Sequence, residues 1–95
     1  MYSEEMPTPV FHLDAVSLAE LYEDLSEGRV QALRRSSGLT QSDIARTIGA
    51  SRSAVASWEG GRRRPRGVLA VRYKTLCGSL AELSGKGSND AARWA

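Results

Sequence analysis

From Ser17 onward, apolar residues recur at helical spacing. Leu18, Leu21, Tyr22 and Leu25 stand at i, i+3, i+4 and i+7, and Ser17 with Glu20 has capping-box spacing, so a helix is predicted over 17–28. A second helix, from about Arg29 to Arg35, turns Val30 and Leu33 inward. Ser36-Ser37-Gly38 closes it, because glycine takes the left-handed turn that follows a helix. Further on, Leu69, Tyr73, Leu76, Leu80 and Leu83 are spaced 4, 3, 4 and 3 apart, one face of a helix. Gly78 and Ser79 interrupt that row, and Ser79 with Glu82 repeats the capping spacing. The expectation is therefore one helix over about 67–77 and a short one over 79–84, with a single bent helix as the alternative. Before Ser17, two of the three prolines fall within 1–12, and residues 1–16 read as a flexible acidic arm. Residues 85–95, rich in Gly, Ser, Asn and Ala, read as a loose tail.

The most informative stretch is LTQSDIARTIGASRSAVASWEGG. Thr40 can cap a helix opening at Gln41, with Asp43 at the third helical position to reciprocate. Ile44, Ala45 and Ile48 form its buried side, Gly49 allows a sharp turn, and Ser51 caps the next helix, in which Val55 and Trp58 recur on one face. Gly60-Gly61 ends it. Two short helices joined by a tight, glycine-containing turn make a helix-turn-helix. Ala45 is small because the two helices cross closely there. Trp58 lies on the apolar face, which makes it a core anchor rather than a platform for stacking bases. The opposite face is left to Arg52, Ser53, Ala56 and Ser57.

Charge sharpens this picture once it is located. Residues 1–28 carry seven acidic side chains and no Lys or Arg, a balance of −7, whereas residues 29–95 carry thirteen basic against four acidic, a balance of +9. An acidic segment is joined to a strongly basic one, and the basic part calls for an anionic partner. At 95 residues, 41% hydrophobic and 25% charged, the chain suits one compact domain. Its one cysteine, Cys77, and one histidine, His12, support neither a disulfide framework nor a four-ligand zinc site, so no metal or other cofactor is expected. Cys77 falls on an apolar helix as a small core residue, and no nucleophile has a base at a recognisable spacing. The chain is therefore not expected to be an enzyme. No run approaches the roughly 20 apolar residues of a membrane span, and MYSEEMPTPVF lacks the apolar core of a secretion signal; a cytoplasmic location is expected.

Residues 29–83 resemble the phage repressor and Cro-type (XRE-like) helix-turn-helix family. Gln41, Ile44, Ala45, Ile48, Gly49, Val55 and the Trp58-Glu59-x-Gly61 segment carry the resemblance. Leu33 to Gln41 upstream and Arg64-Pro65 downstream extend it. The resemblance implies an all-α bundle of five to six helices, lambda-repressor-like, over 29–84, to which the acidic helix of 17–28 is an addition. It places base-edge contacts at Arg52, Ser53 and Ser57. Arg52 is the strongest reader, since its planar fork can bond guanine O6 and N7 together. It also implies that Arg34 and Glu59 form a structural ion pair and that Gln41 binds phosphate at a helix N-terminus. Ser51, Arg46 and the loop arginines Arg62, Arg63, Arg64 and Arg66 are further candidates for contact with the DNA backbone.

The implied function is that of a sequence-specific double-stranded DNA-binding regulator, a repressor of phage, mobile-element or bacterial type. The alternative is an antitoxin that binds its own operator and a toxin. A two-fold symmetric operator and a homodimer, at least on DNA, follow from the family. The pairing surface is either the apolar row ending at Leu80 and Leu83 or the Leu18–Leu25 face of the acidic helix. That helix is outside the family pattern: it packs on the domain, mediates pairing, or touches a protein partner such as a toxin or RNA polymerase. The family's basic N-terminal arm has no counterpart here.

Overall fold

The computed structural model of the chain describes residues 13–84, so residues 1–12 of the arm expected over 1–16 and the tail over 85–95 lie outside the described residues, while Ala15 and Val16, expected in the arm, are helical. Within them the chain forms five helices and no strand: α1 (Ala15–Ser26), α2 (Arg29–Ser36), α3 (Gln41–Ile48), α4 (Arg52–Glu59) and α5 (Gly67–Ser84).

Helix α1 opens two residues earlier than the apolar spacing predicts and ends at Ser26 rather than Gly28. Its N-cap is Asp14, whose Oδ1 accepts the Ser17 backbone N–H at 2.8 Å. A carboxylate there satisfies an orphan amide and meets the positive end of the helix dipole, and Ser17 becomes the capped residue instead of the cap. That backbone hydrogen bond holds the Asp14 carboxyl below its ordinary range. Helix α3 starts as its sequence requires: the Asp43 amide donates to Thr40 Oγ1 at 3.0 Å and the Thr40 amide to Asp43 Oδ2 at 2.9 Å, a reciprocal capping box. Helix α4 starts at Ser51, whose Oγ accepts the Ala54 amide at 3.0 Å.

The turn between α3 and α4 depends on Gly49, at φ +83°. Its amide and that of Ala50 both donate to the Ala45 carbonyl at 2.9 Å, and Arg72 of α5 donates to the Ile48 carbonyl at 3.1 Å, so the end of α3 is sealed from two sides. The closely apposed α3 and α4 rest on α5, and α1 covers the other side, touching α2, α4 and α5. Leu21 and Leu25 of α1, Val30, Ile44, Ala45, Ile48, Val55, Trp58 and the α5 residues Ala70, Tyr73, Cys77 and Leu80 form one buried cluster. Within it the Trp58 and Tyr73 rings sit with centroids 5.4 Å apart. Burial pushes the Cys77 thiol up to about 12, so it packs as a small apolar group.

Helix α5 is continuous, where a break at Gly78 is the sequence expectation. Cys77, Leu80 and Ala81 are all buried, so the core runs straight past Gly78. A glycine inside a helix costs about 1 kcal/mol, less than the roughly 1.5–3 kcal/mol that burying Leu80 returns. The innermost positions of α5 are also shifted from the predicted row. Ala70, Tyr73, Cys77 and Ala81 face inward, Leu69 and Leu76 are partly buried, and Leu83 is 71% exposed. Ala70, Cys77 and Ala81 are small, which lets α5 pass α2, α3 and α1 at close range around the one large inward ring of Tyr73.

Gly49→Ala tests the turn. A left-handed alanine costs about 1–2 kcal/mol, and its Cβ would also meet the Arg72 guanidinium at 3.1 Å. Chemical denaturation is expected to show a loss of that size, and an unchanged midpoint would show that the turn does not need glycine.

Candidate nucleic-acid interface

The α4 helix divides cleanly by face. Val55 and Trp58 point into the core, while Arg52 and Ser53 are exposed and Ala56 and Ser57 half-buried on the opposite side. The Arg52 side chain makes no hydrogen bond or ion pair with the described residues. Ser51 uses its Oγ as the cap of α4, and its hydroxyl hydrogen can still be donated outward.

The chain leaves α4 through Gly61, at φ +79°, which permits the Arg62 and Arg63 amides to fold back onto the Ser57 carbonyl at 2.9 and 3.3 Å. The loop then sinks Pro65 into the protein and leaves Arg62, Arg63, Arg64 and Arg66 at the surface. These four arginines line an open groove of about 620 Å³ that also touches Ala54 and Trp58 of α4. Arg62, Arg63 and Arg66 have no side-chain partner among the described residues. The Arg64 guanidinium carbon lies 4.7 Å from the centroid of the Tyr22 ring. A smaller cleft of about 270 Å³ is lined by this loop, the end of α4 and Tyr22, Leu25 and Ser26 of α1.

Glu59, the last residue of α4, gathers the neighbouring helices. Arg34 Nε donates to its Oε2 at 2.7 Å and Nη2 to its Oε1 at 2.9 Å, while Nη1 reaches the Leu39 carbonyl at 3.0 Å. The two side chains are 11% and 6% exposed, and the hydrogen bonds to Glu59 raise the guanidinium's already high pKa. Gln41 Nε2 donates to Glu59 Oε1 at 3.0 Å. One hydrogen of the Gln41 side-chain amide is thus spent on Glu59.

Arg46 is placed apart from the arginine groove, on the exposed side of α3, where it pairs with Asp43 at 2.6 Å. The Asp43 carboxyl is held below its ordinary range chiefly by the Thr40 backbone hydrogen bond, with Arg46 adding to it.

Several residues of structural consequence escaped the sequence reading. Gln31 is buried on α2 and its Nε2 donates to the Leu25 carbonyl at 3.1 Å and the Glu59 carbonyl at 2.9 Å, tying α1, α2 and α4. Asp24 is buried on α1 and accepts from Arg29 Nε at 2.7 Å; Glu27 also accepts from Arg29. For Asp24 the available signal was a polar residue at an apolar register position, three after Leu21; Gln31, next to Val30 but off its face, offered no such signal. Among the described residues no group of three or more His, Cys, Asp or Glu is placed to hold a metal ion, and no helix is long and apolar enough to cross a membrane.

Comparison with known proteins gives one match. The family model of a helix-turn-helix domain covers residues 28–85, more than half of the chain, and is consistent with the repressor/Cro-type resemblance. It includes α2 to α5 and leaves out α1. No curated protein and no solved structure matches the chain.

Removing one partner of the Arg34–Glu59 pair leaves a poorly solvated charge, so Arg34→Ala is expected to lower stability by about 3–5 kcal/mol. In a double-mutant cycle with Glu59→Ala, read by chemical denaturation, the two losses are expected to fall short of additivity by about 1 kcal/mol or more. Strictly additive losses would show that the pair does not act as a unit.

Proposed function

The chain belongs to the helix-turn-helix domain family, a family of DNA-binding modules, and on that premise we propose that it is a sequence-specific double-stranded DNA regulator, acting as a repressor. The observation that carries this reading is the groove of four arginines beside a helix, α4, whose outward residues Arg52 and Ser53 are exposed among the described residues. In this reading α4 enters the major groove. Arg52 bonds a guanine edge with its planar fork, and Ser53 and Ser57 touch adjacent bases. Arg62, Arg63, Arg64 and Arg66, with Ser51, Arg46 and the N-terminus of α3 at Gln41, hold the flanking phosphates. Two of the three base readers are serines, short and weakly discriminating, so DNA shape carries part of the selectivity.

A single copy brings one reader helix and a few phosphate contacts, which is thin for an affinity of roughly 10⁻⁸ M or tighter at physiological salt. Two copies on a two-fold symmetric site, with half-sites about 10–10.5 base pairs apart or a multiple of that, double both sets. Leu21 and Leu25 of α1 are spent on the core, and so is Leu80, which leaves the outer side of α5 around Leu83 as the pairing surface. The acidic Glu20 and Asp24 of α1, and Glu27 at its C-cap, are engaged by Lys74 and Arg29 of the same chain. That supports α1 as part of the domain's own packing over a docking helix for a toxin or RNA polymerase. Action in the cytoplasm, where the DNA lies, completes the reading.

Arg52→Ala is the test. On the duplex that the wild-type chain selects from a randomised pool, the substitution is expected to cost about 1–3 kcal/mol and to relax the preference at one base of each half-site. Equal weakening on the selected and on random duplexes would make Arg52 a phosphate contact and remove the proposed reader.

A further inference from the structure

The first half of the arginine loop is held by α4 itself, through the bonds of the Arg62 and Arg63 amides to Ser57. The second half is held by α1. Across 43 residues of sequence, the Tyr22 hydroxyl donates to the Pro65 carbonyl at 2.9 Å. The face of the same ring lies against the Arg64 guanidinium, 4.7 Å from centroid to carbon, and Pro65 is fully buried between the two exposed arginines that flank it. One aromatic side chain therefore grips consecutive loop residues by two different interactions, one directed at the backbone and one at a cation. It does so from α1, which lies outside the residues matched by the family model. Arg62, Arg63 and Arg66 have no side-chain partner among the described residues, so the path of the backbone sets where their charges stand. A loop already held in its bound path avoids the ordering cost that binding otherwise carries.

We propose that α1 is a brace for the DNA-backbone loop and that Tyr22 is its positioning residue, a role that rests on the DNA-binding reading above. Tyr22 does not touch DNA in this scheme. It acts through Arg64 and Pro65, and it adds to the helix-turn-helix a contact that the matched segment does not contain.

Tyr22→Phe in the full chain removes the hydroxyl and keeps the ring. With a labelled random-sequence DNA duplex as the probe, well below the unfolding temperature, the affinity of the variant is expected to fall roughly 2- to 10-fold, the worth of one net hydrogen bond. In a chain already carrying Arg64→Ala and Arg66→Ala, the same substitution is expected to cost little more, because the charges it positions are gone. The amide chemical shifts of Arg64 and Arg66 in the free protein are expected to move. A merely structural role would lower the unfolding temperature while leaving the affinity and the loop amides unmoved, and that result would overturn the brace. So would an affinity loss that persists undiminished without Arg64 and Arg66. Failure of the wild-type chain to bind the duplex would instead overturn the DNA reading and the brace together, so the two failures are told apart.

Discussion

Glu59 ends α4, where a negative charge meets the negative end of the helix dipole, a placement that costs about 0.3–1 kcal/mol at an exposed site. It is also nearly buried, which adds a desolvation cost of several kcal/mol. Two guanidinium bonds from Arg34 and an amide bond from Gln41 offset these costs, and the Glu59 backbone carbonyl takes a further amide from Gln31. The partners come from α2 and from the first residue of α3, so this one carboxylate fixes the end of the reader helix against both helices behind it. The groove of arginines begins immediately after it. Its position, and the direction in which Arg52, Ser53 and Ser57 point, follow from how firmly α4 is seated.

The charge asymmetry of the sequence takes a definite form in the fold. The acidic helix lies on the basic domain and its side chains meet basic groups away from the loop: Glu20 with Lys74 at 3.2 Å, Asp24 and Glu27 with Arg29. Arg52 and the loop arginines Arg62, Arg63 and Arg66 keep no acidic partner among the described residues. Positive charge thus remains concentrated on the side that carries α4 and the loop, an arrangement suited to an anionic partner.

The helix-turn-helix was legible because its signals are local. The Thr40–Asp43 box, Gly49, Ser51 and the Ile44, Ala45, Ile48, Val55 and Trp58 spacing all act within a few residues, and each stands where it was expected. The misreadings occurred where two local signals competed. Asp14 and Ser17 both suit an N-cap, and the earlier one prevails because a carboxylate adds the dipole attraction. Gly78-Ser79 looks like a break, yet Cys77, Leu80 and Ala81 keep one buried side across it. What could not be read was long-range. The partners of Gln31 and Tyr22 lie up to 28 and 43 residues away, and no spacing rule connects them. For the candidate site, the arginines were legible as a charge run, but the groove they share and the ring beneath Arg64 needed the fold.

The most direct test is to map the contact surface by amide chemical shifts while the labelled full chain is titrated with duplex DNA at low salt. The largest changes are expected at Ser51 to Ser57, at Gln41 and Ser42, and along Gly61 to Arg66, while Val16 and Ala19 on the solvent side of α1 stay unmoved. Changes centred on the solvent side of α1, with α4 and the arginine loop silent, would contradict the placement of DNA on this face.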